Sequence, residues 1–322
     1  MTSIETRNRF ADLRATLCLP VVCAPMFLVS GPELVIAACR AGIVGSFPTT
    51  NARSIDIFEE WLDRITDELA YHEKHQVPGA TSVWAQNMIV HSSYPRLDQE
   101  LALVQKYRPP IVITALGSPA TVVEAVHDYG GLVIADVNSV PFARKAAAAG
   151  ADGLALVSAG AGGHTGQMAG FAFVPAVREF FDGVLILAGA IGDGRAVRAA
   201  EILGAELSYV GTRFIAAEES MAFDDYKQMV VESDFSDLVL SNSFTGAHAY
   251  YIRQSIVAAG LDPDRLMARN TGMDLSGSES KVKAWKDIWS AGQGVGTVRK
   301  VEPVAAIVDR MAREYEDAKK IP

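Results

Sequence analysis

From Pro20 onward the chain alternates short apolar blocks with longer stretches of helical periodicity. "PVVCAPM" is followed by "GPELVIAACRAG", "IVGSF" by "ARSIDIFEEWLDRITDELAYHEKH", "TSVWAQNMI" by "RLDQELALVQKY" and "PIVITAL" by "SPATVVEAVHDYG". "GLVIADV" then precedes "SVPFARKAAAAG", "DGLALV" precedes "FVPAVREFF", "GVLILAG" precedes "DGRAVRAAEILG" and "ELSYVGT" precedes "RFIAAEES". The blocks are continuously apolar rather than alternating, as expected of parallel strands buried on both faces. Several helical stretches end in Gly, which suits a helix C-cap. Eight strand–helix units across residues 20–220 are the count of a TIM (β/α)8 barrel. A doubly wound open sheet usually has fewer strands and a Gly-rich turn after the first of them. Here that turn, "CAPMFLVSG", lacks the dinucleotide fingerprint.

The rest of the chain has a different rhythm. "DDYKQMVVES", "GAHAYYIRQSIVAAGL" and "KVKAWKDI" read as helical, and "VEPVAAIVDRMAREYEDAKK" is an amphipathic helix. No linker separates this part. The pattern predicts a barrel over 1–220, a helical segment over 221–300 that covers the mouth and the substrate, and a helix over 301–322 that packs back on the barrel.

Composition narrows the function classes. The chain has 322 residues, 49% of them hydrophobic, enough for one large core. A net charge of -9 without a basic run argues against nucleic acid. The longest apolar runs are too short to span a bilayer, and the polar N-terminus has no signal-peptide core. Cys18, Cys23 and Cys39 suit a reducing compartment and have no metal-ligand spacing with a histidine. Together these features predict a cytoplasmic protein without a bound metal.

A TIM barrel presents its chemistry at the C-terminal ends of its strands. The first strand delivers Ala24, Pro25 and Met26 there, the third Gln86 and Asn87, and the fifth Asp136 and Asn138. The sixth delivers Ser158 and the loop "VSAGAGGHTGQMAGFAF" with His164; the seventh delivers Ala188 to Gly194 and the eighth Val210 to Phe214. Loops after strands seven and eight are the recurrent phosphate site of this fold. Gly189, Ala190, Gly192, Gly211 and Thr212 supply close backbone approach and N–H donors, and the helix starting near Asp193 adds its positive end. The bland alternative is that these glycines only make tight connections. A phosphate fixed there would place the reactive end of a cofactor near the sixth-strand loop. In that loop glycines would let backbone approach a flat ring, and His164 would move a proton near neutral pH. The alternative is a surface loop with an incidental histidine. His72 and His75 read as a solvated helix face and His127 as a helix-end residue, whereas His91 and His248 lie where they could line a substrate pocket. Asn87 suits a polar ring edge or a turn, with Gln86 on the opposite face. Met26 suits a ring contact or the core. "WSAGQGVG" reads as a loop returning to the mouth.

These residues together resemble the nitronate monooxygenase family, formerly called 2-nitropropane dioxygenases. Its superfamily includes FMN-dependent NADH:quinone reductases and enoyl-ACP reductases. The resemblance rests on "PVVCAPM", "AQN", "AGADGLAL…AGGHTG", "ILAGAIGDGRAV", "ELSYVGTRF" and "WSAGQGVG", in order, across most of the chain. It implies an FMN-bound barrel that oxidises alkyl nitronates or nitroalkanes with O2 to a carbonyl compound and nitrite. Ala24, Pro25, Met26 and Asn87 would then contact the flavin, with Gly162 and Gly163 near its ring and His164 as the base. Gly189, Ala190, Gly211 and Thr212 would hold the phosphate, and Gln293 and Gly294 would close the ring side. One departure stands out: many relatives carry a lysine or an uncharged residue where this chain has Asp136, which points to a different substrate. Two other readings remain open, an NAD(P)H-dependent reductase of a quinone or enoyl thioester and a non-catalytic flavin- or phosphate-binding barrel. Self-association into a homo-oligomer is also left open.

Overall fold

The computed structural model describes residues 3–267 and 285–321. Eight parallel strands form the barrel: β1 (Val21–Cys23), β2 (Gly45–Pro48), β3 (Trp84–Ile89), β4 (Ile111–Ala115), β5 (Leu132–Val137), β6 (Gly153–Val157), β8 (Val184–Ala188) and β9 (Leu207–Val210). They follow the order β1-β9-β8-β6-β5-β4-β3-β2, and a parallel bridge between Val22 and Val44 closes the ring. The missing number is β7 (Gly163–His164), which belongs to a small antiparallel sheet with β10 (Leu238–Ser241) and β11 (Ala249–Ile252).

Helices α2 (Pro32–Arg40), α3 (Ile55–Lys74), α4 (Leu97–Tyr107), α5 (Ala120–His127), α6 (Val140–Ala148), α7 (Gly170–Arg178) and α8 (Gly194–Leu203) follow the first seven barrel strands. Their ends carry the expected chemistry. Ser54 caps α3 by accepting from Ile57 N, and Asp193 caps α8 by accepting from Ala196 N. Gly204 ends α8 at φ 105°, a left-handed conformation that favours glycine.

The eighth unit departs from the predicted pattern. The helix after β9 is only α9 (Thr212–Ile215), four residues long. The chain then makes α10 (Asp224–Glu232), the β10–β11 hairpin and α11 (Arg253–Ala258) before α12 (Val304–Lys319). Ile307, Val308, Met311 and Tyr315 of α12 share one cluster with Leu34 and Ala38 of α2 and Val197 of α8. Thus α12 occupies the place of the eighth barrel helix. Arg213 of α9 and Arg310 of α12 both bind the buried Glu302 carboxylate, tying the two helices together.

The segment expected to be helical over 221–300 is mixed. Ala249–Ile252, inside "GAHAYYIRQSIVAAGL", is a strand because it pairs with both β10 and β7, and such tertiary pairing overrides local helical periodicity. Of "KVKAWKDI", residues 281–284 lie outside the described residues, and Trp285–Asp287 form a turn.

The floor and the filling of the barrel fix where the site sits. Helix α1 (Ser3–Ala15) and the turn after it bring Phe10 and Leu17 onto the interior cluster. In a tilted barrel the residue at equal height on the next strand is offset by one from its ladder partner. Applied to the observed registers, that offset returns to Val22 after one full circuit. It places Val22, Ala85, Ile134 and Ile186 in one interior layer and Ser46, Ile113, Ala155 and Tyr209 in the next. Above them, towards the C-terminal ends of the strands, come Ala24, Asn87, Asp136 and Ala188. The lowest layer is wholly apolar, the second carries Ser46 and the Tyr209 hydroxyl, and the upper one is half polar and small.

Candidate active site

That upper layer is the bottom of the barrel mouth. Its polar members, like Tyr209 just beneath, are incompletely paired. Asp136 Oδ1 and Tyr209 Oη are both buried without a hydrogen-bond partner among the described residues. Burial pushes the Asp136 carboxyl up to about 7. Burial also pushes the Tyr209 hydroxyl up, reinforced by the charge of Asp136. Asn87 Nδ2 makes one long bond, 3.4 Å to the Ile113 carbonyl, so most of its amide capacity is unspent. Gln86 faces the other way, donating to the Phe47 carbonyl at 2.9 Å. Unpaired buried polar atoms are costly, and three strands converge them on one spot.

The glycine-dense loop is not loose. Gly292 N donates to Thr212 Oγ1 at 2.8 Å, and Gln293 N donates to the Gly160 carbonyl at 2.9 Å. A Cβ on Gly162 would lie 2.7 Å from Gly292 N, so the two glycine segments cross backbone to backbone. The returning "WSAGQGVG" segment therefore reaches the mouth as expected. Gly162 and Gly292 are needed for this chain crossing, and Gln293 adds a 2.8 Å bond from Nε2 to the Tyr250 hydroxyl. Gly294 accepts from Thr297 Oγ1 at 2.8 Å, and the same hydroxyl reaches the Gly192 carbonyl at 3.2 Å.

His164 stands in β7, where it pairs with Ala249 while Gly163 pairs with Tyr250. The imidazole is half-buried, and burial lowers its pKa, so it is neutral at pH 7. Its Nε2 lies 3.1 Å from Thr245 Oγ1, and the Trp285 ring meets it edge-on at 5.0 Å. Trp285 in turn contacts Phe27 at 6.4 Å, and the Arg53 guanidinium lies over Phe27 at 5.4 Å. Thr245, Tyr250, Trp285, Phe27, Arg53 and Tyr209 escaped the sequence reading. Most of them reach the mouth through loops or through the strand misread as helix, and no local motif marks them.

On the other side of the mouth, Gly189 has φ 123° and Ala190 φ 58°. The N-terminus of α8 is already occupied by carboxylates of the chain itself. Asp193 accepts from Ala196 N and Glu314 accepts from Gly194 N at 2.9 Å, so the expected contribution of this helix end to an anion site is not available. What remains there is the Gly189–Ala190 turn, whose Ala190 N donates to the Gly160 carbonyl at 3.3 Å, and the start of the short α9 at Gly211 and Thr212. A Cβ on Gly211 would meet only side-chain atoms of Met26 and Ala24, the nearest Met26 Sδ at 3.4 Å. Met26 itself is partly buried against the outer clusters, and its N–H is bonded to Ser30 Oγ at 3.0 Å. Pro25 lies between it and Ala24, half-buried.

The other histidines sort differently. His91 is exposed, its Nδ1 bonded to Ser93 Oγ at 2.7 Å. His248 is exposed and gives its backbone carbonyl to Thr165 N. His72 is buried within α3, contrary to the solvated face expected of it, because the apolar stripe of α3 includes its position. His127 binds Asp152 at 2.8 Å on the barrel floor, a more specific role than a helix-end contact. No cluster of three metal-ligating side chains occurs among the described residues, and no described helix is long and apolar enough to cross a membrane. Surface hollows of about 260 Å³ beside α10 and about 650 Å³ between α2 and α3 lie on the outer helices, away from the mouth.

Comparison with known proteins agrees with this architecture. A nitronate monooxygenase of Paraburkholderia phytofirmans is 25% identical over 93% of this chain and 93% of its own length. A nitronate monooxygenase of Neurospora crassa is 30% identical over 63% of this chain, and the match spans only 59% of that protein. A solved nitroalkane oxidase from Streptomyces ansochromogenes shares the fold, with a TM-score of 0.75, 21% identity and coverage of 98% of this chain and 100% of that one. The family model for nitronate monooxygenase matches residues 11–314, and the chain belongs to that family of flavin-dependent oxidoreductases.

Proposed function

We propose that the protein oxidises alkyl nitronates, or the parent nitroalkanes, with O2 to a carbonyl compound and nitrite, using FMN. The observation that carries this reading is a neutral, half-buried imidazole at a barrel mouth whose interior presents unpaired polar atoms. The residues fit the cofactor. Asp136 Oδ1, Tyr209 Oη and the Asn87 amide offer polar partners to a ring edge, and Gly162, Gly163, Gln293 and Gly294 would border the ring. Gly189, Ala190, Gly211 and Thr212 would hold a single phosphate, with Ala24, Pro25 and Met26 alongside; Gly192 lies against Thr297 instead. One phosphate cradle, and none in the first strand–helix turn, favours FMN over FAD.

Bound flavin would supply the electron acceptor; binding, orientation and proton movement belong to the chain. His164 takes the proton from the carbon beside the nitro group of a neutral substrate, which general-base catalysis requires to be within hydrogen-bond reach. Trp285 and Phe27 exclude water from one side of that proton transfer. The near-neutral carboxyl of Asp136 limits negative charge below the reacting anion, where an ionised carboxylate would repel a nitronate. The aromatic wall ends at Arg53, a cation facing arriving anions.

The test begins with the absorbance spectrum of purified protein and chromatography of the heat-released cofactor, where FMN is expected. Anaerobic mixing follows. Bleaching of the flavin band by ethyl nitronate is the expected result. Bleaching by NAD(P)H alone would transfer the protein to the reductases, and bleaching by neither would leave a binding barrel.

A further inference from the structure

We propose that Thr245 is a positioning residue: its hydroxyl holds the His164 imidazole as the Nε2–H tautomer and leaves Nδ1 as the proton acceptor. The role of Nδ1 in turnover rests on the function proposed above; the tautomer does not.

Donor and acceptor counting carries the argument. Thr245 Oγ1 donates to the Ala247 carbonyl at 3.2 Å. A hydroxyl has one proton and two acceptor positions. Towards His164 Nε2, at 3.1 Å, it therefore accepts. Another polar neighbour, the buried Tyr251 hydroxyl, leaves this unchanged, since a proton given there is equally withheld from the imidazole. A neutral imidazole carries one N–H, so Nε2–H leaves a free lone pair on Nδ1. No described residue is bonded to Nδ1.

The surrounding chain makes the contact rigid. Thr245 is 3% exposed, so the contact is shielded from bulk water. It sits in a tight turn closed by Gly246 N donating to the Asn242 carbonyl at 2.9 Å. That turn joins β10 to β11, and β11 pairs with β7, which carries His164. The Trp285 edge contact restrains rotation of the ring. Base and positioning hydroxyl thus come from segments 81 residues apart, joined by one small sheet. A ring in the other tautomer would present an N–H in place of a lone pair from Nδ1, and a base cannot act through that.

The experiment compares wild type, Thr245→Val and Thr245→Ser as flavin-loaded proteins. Ring 15N shifts of His164, assigned with His164→Ala, are expected to show protonated Nε2 and unprotonated Nδ1 in wild type. They should become a mixture in the Val variant and return to the wild-type pattern in the Ser variant. In the Val variant kcat/KM on neutral nitroalkane should fall about tenfold or more, with nitronate turnover and flavin occupancy little changed. The Ser variant should restore the rate. A wild-type spectrum with protonated Nδ1 overturns the proposal, as do equal losses on both substrate forms. The shifts need no substrate, so they judge the tautomer even if nitroalkane turnover is never seen, and they need only wild type if the Val variant fails to fold.

Discussion

Two aspartates at opposite ends of the same barrel are treated in opposite ways. Asp152, at the floor, has both oxygens paired. Oδ1 accepts from Thr6 Oγ1 at 2.8 Å, and Oδ2 accepts from Val133 N and binds His127 Nε2, each at 2.8 Å. Asp136, at the mouth end of β5, has a buried Oδ1 with nothing bonded to it. The histidines follow suit: His127 is tied to a carboxylate, whereas one nitrogen of His164 has no partner among the described residues. A carboxylate tied to a helix, a strand and the N-terminal segment at once secures the fold. An unpaired one a short strand's length away is tolerable only where a ligand completes it. For these two aspartates, polar satisfaction separates a stabilising position from one at the proposed site.

The sharpest way to break that contrast is at the mouth. His164→Ala should lower kcat/KM on neutral nitroalkane by about 10²–10⁴-fold, roughly 3–5 kcal/mol of barrier. Preformed nitronate needs no base and should retain much more activity, with flavin content close to wild type. Steady-state assays on both substrate forms decide it. Equal losses on the two would falsify the base assignment.

At the floor, Asp152→Ala should act on stability instead. It strands the Thr6 hydroxyl, the Val133 N–H and the His127 ring, costing about 2–4 kcal/mol. Urea unfolding measures this directly, and flavin bound per folded molecule should not change. A loss of flavin without a loss of stability would erase the division between the two ends.

The third effect is a pH dependence, absent in acid and growing with pH. Burial raises the folded-state pKa of Asp136 to about 7. The folded chain therefore holds a proton there that the unfolded chain, with a carboxyl near 3.9, has released. The contribution of Asp136 to folding is most favourable in acid and is lost as pH rises from about 4 through 7. Asp136→Asn cannot ionise, so the flavin-free variant should exceed wild type in stability by about 4 kcal/mol at pH 8, roughly three pKa units at about 1.4 kcal/mol each, and nearly match it at pH 4. Denaturation at both pH values is the measurement. An equal difference at both would mean that packing, not charge, governs the site.

The barrel was legible because its signal is periodic and local. Continuous apolar strands and Gly-terminated helices can be counted without knowing any contact, and each of the eight strands formed. His164, Asn87, Gly189 and Gly211 were legible through their positions at strand ends, which the fold turns into one face. Thr245, Tyr250 and Trp285 were not, since nothing in "SNSFTGAHAYYIR" or "AWKDIW" announces that these segments fold onto the sixth-strand loop. The helical reading of Ala249–Ile252 failed for the same reason, as only pairing with β7 and β10 makes it a strand. The glycines of the histidine loop were noticed, but one use of Gly162 was not foreseen. It admits another stretch of backbone at 2.7 Å from where a Cβ would stand.

The sequence by itself determined the class of fold, the strand order through its right-handed repeats, and the end of the barrel where chemistry collects. Those follow from hydrophobic period and from chain connections that physics restricts to one hand. Tertiary structure alone decided that α12 replaces the missing eighth helix and that two carboxylates close the α8 N-terminus. It also decided that Asp152 is paired while Asp136 is not, and that a threonine from a distant hairpin faces the imidazole. These depend on which side chains meet across long sequence separations. Hydrogen bonding is settled atom by atom at about 3 Å, a scale that no residue-level pattern records.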